Sequence, residues 1–251
     1  MKVRVLRIVL LLTVLVGLLS VTAAAETSGI WEYYTNYNNS LPGGMEATIT
    51  GCSGSGSVAV PAKIGGYCVT AVTSGTFYNH EDVTSIRFDS NPYLELVGSF
   101  HGASNLKSVN MSSISLETLS DYQFTSCSSL TSVAFPSGLK KIGKDAFYGC
   151  SSLTNLTIPS TVETIADSTS EYYGAFASCS ALKTIDLSKS KITKVPAGAL
   201  YNCSALTTVK LPSTVTIVGS RAFMKCTSLH PSPFRLLSLR SIARPFPAAR
   251  H

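Results

Sequence analysis

The side chains best suited to nucleophilic or metal chemistry in this 251-residue sequence are seven cysteines and four histidines. Five of the cysteines occupy the same position in successive copies of a sequence repeat. They are Cys127, Cys150, Cys179, Cys203 and Cys226. A thiol that recurs in this way can form disulfide bonds, bind zinc as a thiolate or fill an apolar slot. The choice among these roles depends on the fold that positions the five cysteines, which we call the cysteine column.

Zinc is not favoured at the cysteine column, because no Cys-x-x-Cys spacing occurs and no histidine shares the repeat position. Cysteines on adjacent coils come within disulfide distance, yet side chains that point the same way suit the torsion of roughly 90° poorly. We therefore predict buried free thiols in the column. For Cys52 and Cys68, which lie outside it, a disulfide and two free thiols are alternatives that the sequence leaves open.

The histidines do not indicate catalysis. His80 and His101 occupy nearly equivalent places in successive copies of the repeat, which favours a surface or packing role, and His230 and His251 lie near the C-terminus. The sequence has no Gly-x-Ser-x-Gly turn, no His-Glu-x-x-His helix and no phosphate-binding glycine loop. We predict no catalytic residue, no metal site and no cofactor, and hence a protein that is not an enzyme.

The element that positions these residues is a tandem repeat. The segment Cys127-Ser-Ser-Leu130-Thr-Ser-Val133-Ala-Phe135-Pro136 recurs, with substitutions, at 150–159 and at 203–212. One aromatic or leucine marks each copy, at Phe77, Phe100, Phe124, Phe147, Phe176, Leu200 and Phe223, in steps of 23, 24, 23, 29, 24 and 23 residues. Units this short cannot bury their own apolar face, so they must stack. The sequence predicts a mainly β repeat solenoid of about seven coils, with little helix.

Two short strands are expected in each coil. An apolar triplet such as Leu130, Val133 and Phe135 ends in an alternating, strand-like half, and a second apolar pair such as Leu139 and Ile142 precedes each aromatic. Proline at 136, 159 and 212 ends the first strand because it lacks a backbone donor. Stacking one coil on the next should join these strands into two parallel ladders on opposite walls.

The ends of the chain differ from the repeats. Residues 1–25 have early basic residues, an apolar run and small residues before position 26, which predicts a secretory signal peptide. We interpret 26–68 as an N-terminal capping segment, 69–230 as the repeats and 231–251 as an irregular basic tail. Because an uncapped solenoid exposes apolar edges, the tail is interpreted as a truncated or frame-shifted reading of a longer chain.

The predicted folded body is nearly neutral, although the whole chain carries a formal net charge of +6. Between residues 26 and 230 there are thirteen basic and fourteen acidic side chains, because the other basic residues lie in the two end segments. Binding to nucleic acid or to an anionic membrane requires a concentrated basic field. Neither partner is therefore favoured.

The repeat resembles a known family. The pattern Val-x-x-Ile-Gly-x-x-Ala-Phe-x-x-Cys-Ser-x-Leu-x-x-Val-x-Ile-Pro, clearest from Leu139 to Pro159 and from Val215 to Leu229, is similar to the BspA-like leucine-rich repeat. The resemblance covers about residues 45–230. It implies a leucine-rich-repeat right-handed coil with a parallel strand ladder, about seven repeats of 23 to 24 residues, and a cell-surface binding role with varied ligands.

Two surfaces are candidates for ligand contact. The first is the outward face of the strand ladder, with contact residues predicted at Arg87, Asn110, Thr157, Asp186 and Lys210. The second is Tyr172 and Tyr173, in a six-residue insertion between Ile165 and Phe176 that should bulge from the solenoid. A further group of aromatic residues is expected to cover the open end of the first coil, at Trp31, Tyr33, Tyr34 and Tyr37.

These observations favour a secreted or cell-surface leucine-rich-repeat protein that acts in adhesion. By resemblance, its ligands would be host matrix or cell-surface proteins. The alternative is a glycan-binding accessory surface protein that uses the hydroxyl-rich sheet and the exposed tyrosines. No transmembrane span is expected in the mature chain, and the sequence leaves the oligomeric state open.

Overall fold

The computed structural model of the protein describes residues 26–41 and 43–229, which form a solenoid of about seven coils built almost entirely from short β-strands. The single helical element in these residues is the three-residue 3₁₀-helix Ser74–Thr76. None of the helical structure described here is long or apolar enough to cross a membrane. The predicted signal peptide and the tail 231–251 lie outside the described residues.

Eighteen strands succeed one another along the described chain. They are β1 (Glu26–Ser28), β2 (Trp31–Tyr37), β3 (Met45–Cys52), β4 (Gly56–Val60), β5 (Lys63–Ile64), β6 (Tyr67–Val72), β7 (Val83–Phe88), β8 (Leu96–Val97), β9 (Ser108–Asn110), β10 (Thr118–Leu119), β11 (Ser132–Ala134), β12 (Lys141–Ile142), β13 (Asn155–Thr157), β14 (Thr164–Ile165), β15 (Thr184–Asp186), β16 (Lys194–Val195), β17 (Thr208–Lys210) and β18 (Ile217–Val218).

The first predicted ladder is confirmed, including its register. Parallel strands follow in the order β4, β7, β9 and β11, and then β13, β15 and β17. Arg87 pairs with Asn110, and Thr157 pairs with Asp186, which pairs with Lys210. The ladder is not one sheet as expected, since β11 and β13 are not paired. The interruption coincides with Phe135, which is only half-buried and meets Phe147 edge-on at 6.0 Å between ring centroids.

The second ladder is also present, on the wall formed by the apolar pairs. It consists of three parallel groups, β3–β6–β8, β10–β12–β14 and β16–β18. The break between β14 and β16 falls at the insertion after Ile165. The break between β8 and β10 falls where only two residues separate Val97 from Phe100, whereas four separate Leu119 from Phe124. Each break therefore lies where the coil length changes.

A buried glutamine bridges the break between β8 and β10. The Gln123 side chain is fully buried, and its amide nitrogen donates to the carbonyl oxygen of Gly98 while its amide oxygen accepts from the backbone nitrogen of Ser120 at 3.1 Å. The side chain thus satisfies backbone groups that the strand pairing leaves free. We expect Gln123→Leu to lower the free energy of unfolding by about 1–3 kcal/mol, because both backbone groups lose their partner and the carbonyl belongs to the buried Gly98. Urea unfolding measures this change, and an unaltered midpoint would contradict it.

The core is a continuous column of stacked side chains. All seven residues of the marked aromatic position are buried. Successive ring centroids from Phe77 to Phe176 lie 5.4, 5.2, 5.0 and 5.7 Å apart, at the spacing of the coils. Packed rings at this separation contribute more than their buried area alone. The prediction that these residues pile above one another is confirmed.

The cysteine column consists of buried free thiols, as predicted. Each sulfur lies 3.0 to 3.1 Å from the carbonyl oxygen of the marked residue in the preceding coil, so that Cys150 donates to Phe124 and Cys203 donates to Phe176. A cysteine therefore fits this slot as a small apolar side chain with one weak donor. Cys52 and Cys68, for which the sequence left two alternatives, are both free.

The first coil is covered by an antiparallel meander. Strands β1, β2 and β3 pair in turn, and β3 then pairs in parallel with β6. Trp31 is buried and meets Phe77 edge-on at 6.1 Å, and Tyr33 is also buried, as expected of residues that cover the open end. Tyr34 is half-buried, and Tyr37 is 74% exposed, so the expectation was wrong for Tyr37.

The close stacking of the coils predicts a strong effect at Gly143. A Cβ atom there would lie 2.5 Å from the backbone carbonyl of Ser120 in the preceding coil, a separation that the backbone cannot accommodate. We expect Gly143→Ala to lower the free energy of unfolding by about 1–3 kcal/mol, as overpacking does. Gly138→Ala is the matched control, because a Cβ there meets open space and Gly138 does not have a positive φ. Equal unfolding midpoints for the two variants would refute this account.

Candidate functional site

The predicted contact residues on the outward sheet face are largely engaged within the protein. Arg87 forms an ion pair with Asp89 at 2.8 Å, and Lys210 forms one with Asp186 at 3.1 Å. Hydrogen bonds from Ser188 and Lys210 lower the pKa of Asp186 to about 2. Asn110 and Thr157 are exposed. The face is thus mixed in charge and locally neutralised.

Hydroxyl groups on the turns beside this sheet connect neighbouring coils. Thr131 Oγ1 donates to the carbonyl of Lys107 at 3.0 Å, and Thr207 Oγ1 donates in the same way to Lys183 at 3.1 Å. On the outward face itself, Ser85 Oγ donates to Ser57 Oγ at 2.8 Å. The abundance of serine and threonine therefore has a structural use, namely bonding each coil to the one before it.

The insertion after Ile165 folds back onto the turns of its neighbouring coils. Tyr173 meets Tyr148 of the preceding coil edge-on at 5.1 Å, and Tyr172 meets Tyr201 of the following coil at 5.6 Å with an interplanar angle of 90°. Tyr172 and Tyr173 are nevertheless 47% and 46% exposed. Both tyrosines are thus held by packing on neighbouring coils and do not extend freely into solvent.

Two cations join this group of aromatic rings. The guanidinium carbon of Arg221 lies 4.4 Å from the ring centroid of Tyr172, and Lys225 Nζ lies 5.2 Å from that of Tyr201. Arg221 also forms an ion pair with Glu171 at 3.0 Å, and Glu171 accepts a hydrogen bond from Ser220 Oγ at 2.6 Å. Cation–π contacts at exposed sites contribute about 0.5–1 kcal/mol each, so these two favour the observed positions of the Tyr172 and Tyr201 rings.

We call this group the tyrosine edge, which comprises Tyr148, Tyr172, Tyr173, Tyr201, Arg221 and Lys225. Sequence reasoning identified Tyr172 and Tyr173 but missed the other four. A signal for two of them was present, because Tyr148 and Tyr201 each follow the marked residue of their coil directly. That position lies on the turn, so side chains there in neighbouring coils come together on one surface. The predicted residues of the sheet face, such as Asn110 and Thr157, belong to a strand ladder instead.

The two histidines of the described repeats have packing roles. His101 stacks on Tyr78, with 5.2 Å between ring centroids and an interplanar angle of 9°. His80 Nε2 donates to the carbonyl of Cys52 at 2.9 Å, beside an open polar groove near the cap. Within residues 26–41 and 43–229, no three histidine, cysteine or carboxylate side chains come together in a way that could hold a metal ion.

Short coils with a parallel strand on each of two walls, and with leucine-type triplets in the core, define a leucine-rich-repeat solenoid. Within this class, the family described as the BspA type leucine-rich repeat region matches six copies, over residues 64–173 and 167–238. The protein belongs to this family. The family resemblance inferred from the repeat pattern and the predicted fold are thereby confirmed.

Solved structures of bacterial proteins are similar. The leucine-rich repeat protein of T. pallidum is 25% identical, with a TM-score of 0.67 over 82% of this chain and 91% of the other. A leucine-rich cell surface protein of Faecalibacterium prausnitzii is 26% identical, with a TM-score of 0.59 over 84% of this chain and 55% of the other. A Bacteroides ovatus leucine-rich repeat protein, 21% identical with a TM-score of 0.50 over 81% of both chains, shares the fold. A comparison with curated proteins gives no match.

Proposed function

We propose that the protein is a non-catalytic adhesion protein, secreted or displayed at the cell surface, that binds an extracellular host matrix or cell-surface protein. The family and the cell-surface description of the F. prausnitzii protein support this location, as does the apolar segment at 1–25 with its early basic residues. A solenoid provides a rigid, extended scaffold for such binding.

The observation that carries the proposal is the tyrosine edge. Tyrosine and arginine are enriched among the residues that dominate the binding energy of protein interfaces, and tyrosine presents a large contact area at a low entropic cost. Here four tyrosines and two cations come from four successive coils, and contacts within the protein hold them in place before any ligand arrives. A preorganised surface loses less conformational entropy on binding than a flexible one does.

A glycan is the alternative ligand. The observation that favours it is the exposure of Tyr172 and Tyr173, since exposed rings can stack on the apolar face of a sugar. The hydroxyls of the turns add less support than their number suggests, because several already donate to neighbouring coils. We therefore favour a protein ligand over a glycan, and the binding screen described next tests both.

A binding screen tests the proposal. The folded protein is immobilised and presented with purified extracellular matrix proteins and with a glycan array. We expect binding to at least one matrix protein, and we expect Tyr172→Ala with Tyr173→Ala to weaken it by about tenfold or more. Tyr37→Ala is the matched control, because Tyr37 is exposed on the cap, away from the tyrosine edge. Unchanged affinity in the double variant would exclude the tyrosine edge as the contact site.

The same screen separates the tyrosine edge from the predicted sheet surface of Arg87, Asn110, Thr157, Asp186 and Lys210. Thr157→Arg places a long charged side chain on the exposed outward face of β13 and leaves the tyrosine edge intact. We expect the ligand to bind this variant as well as it binds the parent protein. Loss of binding in Thr157→Arg, with no loss in the tyrosine double variant, would assign the contact to the sheet instead.

A further inference from the structure

The insertion that carries Tyr172 and Tyr173 covers a carboxyl group. Asp145 precedes Phe147 by two residues, a turn position at which Tyr122 of the preceding coil is 43% exposed. Asp145 is only 6% exposed, because the next coil contains the insertion and Ser168 of that insertion lies over it. The burial of Asp145 is thus linked to the folded position of the insertion.

The buried carboxyl group is incompletely satisfied. Its Oδ2 atom accepts a hydrogen bond from Ser168 Oγ at 3.1 Å, whereas its Oδ1 atom is buried and has no partner. The backbone at Asp145 is fixed in a left-handed conformation with φ of 52°, and its carbonyl accepts from Thr125 Oγ1 at 2.6 Å. The Asp145 side chain therefore cannot easily rotate toward solvent while the insertion is folded over it. A buried charge with a free lone-pair oxygen is costly to maintain.

The charges around Asp145 do not neutralise it. Lys144 favours the ionised carboxylate, but it lies 4.0 Å from Asp121, whose own charge opposes ionisation of Asp145. On the insertion, Asp167 is paired with Lys194 at 2.7 Å. Burial is the largest influence, and it raises the pKa of Asp145 above its ordinary value against the opposing effects of Ser168 and Lys144.

We propose that Asp145 is a proton-sensitive latch, which holds the tyrosine-bearing insertion more firmly when its carboxyl group is protonated than when it is ionised. The functional meaning of this latch rests on the binding role proposed above, because the insertion carries half of the tyrosines of the tyrosine edge. Its structural basis is independent of any ligand.

The direction of the effect follows from linkage. When the insertion opens, Asp145 becomes solvated and returns to an ordinary pKa, so protons bind more tightly to the closed form. The closed form is therefore most favoured at pH values below the ordinary pKa of aspartate. This preference is lost progressively as the pH rises through the raised pKa of the closed form, and it stays low above that value.

Hydrogen exchange of the folded protein tests the latch. We expect the protection factors of the backbone amides in 168–173 to be higher at about pH 4 than at about pH 7.5, by roughly tenfold for each unit by which the pKa is raised. Asp145→Asn, which resembles the protonated side chain, should show high protection at both pH values. The control Asp167→Asn alters an exposed carboxylate on the same insertion and should retain the pH dependence of the parent.

A second measurement requires no variant. The Asp145 carboxyl carbon, followed by NMR in the parent protein, should titrate with a raised pKa, and the protection of the insertion should fall as the pH rises toward that pKa and then level off. Protection that is equal at both pH values, an unaltered pH dependence in Asp145→Asn, or an Asp145 carboxyl group that titrates at its ordinary pKa would each overturn the latch. Because no ligand is present, these outcomes are separate from the binding screen, and a failed latch would leave the proposed adhesion function standing.

Discussion

Phe147→Ala is expected to lower the free energy of unfolding by about 3–5 kcal/mol, the range found for removal of a buried phenylalanine. The ring of Phe147 is fully buried and has ring neighbours on three sides, at 5.0 Å from Phe124, 5.7 Å from Phe176 and 6.0 Å from Phe135. Its removal leaves a cavity in the middle of the column, where neighbouring coils cannot collapse because their strands and turns are hydrogen-bonded to each other. Chemical denaturation followed by circular dichroism measures the change.

The natural control for this substitution is leucine. Leu200 occupies the same position of its own coil and is equally buried, so the column already accepts a branched aliphatic side chain there. We expect Phe147→Leu to cost clearly less than Phe147→Ala, because most of the volume is retained and only the ring contacts are lost. If the alanine variant unfolded at the same denaturant concentration as the leucine variant, the continuous column would not be the main source of stability.

Stability in a solenoid depends on contacts between neighbouring coils. A substitution therefore destabilises the coil that contains it and the coils that this coil contacts. A cavity at Phe147 weakens the interfaces with both adjacent coils, whereas Gly143→Ala disturbs only the contact with the preceding one. The ion pairs between coils, such as Lys140 with Glu117, are exposed and contribute little. The stacked aromatic residues and the backbone hydrogen bonds therefore stabilise the fold more than the surface charges do.

The fold could be predicted from the sequence because the same pattern of apolar residues occurs in seven successive copies. The spacing of Phe124, Phe147 and Cys150 fixes which residues stack, and parallel stacking then fixes the register of the strands in the two ladders. What the pattern could not provide was the continuity of the ladders. Strand pairing depends on the path of the backbone, and the breaks occur where Phe135 is only half-buried or where the coil length changes.

The candidate site was recovered only in part, for a related physical reason. The length of the insertion is visible in the sequence, and it drew attention to Tyr172 and Tyr173. The direction in which the insertion folds is not visible, so neither its contact with Tyr201 nor the burial of Asp145 beneath Ser168 could be foreseen. Both depend on side chains that lie one coil away in space and more than twenty residues away along the chain.

The cysteine column should be almost inert in the native protein. Burial is the main reason that the pKa of Cys127 and of Cys179 rises to about 12, and that of Cys226 to about 11. At pH 8, a thiol with a pKa of 12 is ionised in only about one molecule in 10⁴, and the thiolate is the reactive form. We expect the five column thiols to react with a thiol-specific reagent more slowly than an exposed cysteine by several orders of magnitude, until the protein unfolds.

Cys52 provides the internal comparison for this measurement. It is half-buried, so we expect it to be the first cysteine to react in the native protein, and Cys52→Ala should remove that reaction. Unfolding in denaturant should then release all the remaining thiols together, because the column opens only when neighbouring coils separate. Rapid labelling of Cys150 or Cys179 under native conditions would show that the coils open locally. In that case the solenoid would not be the rigid scaffold on which the proposed adhesion function depends.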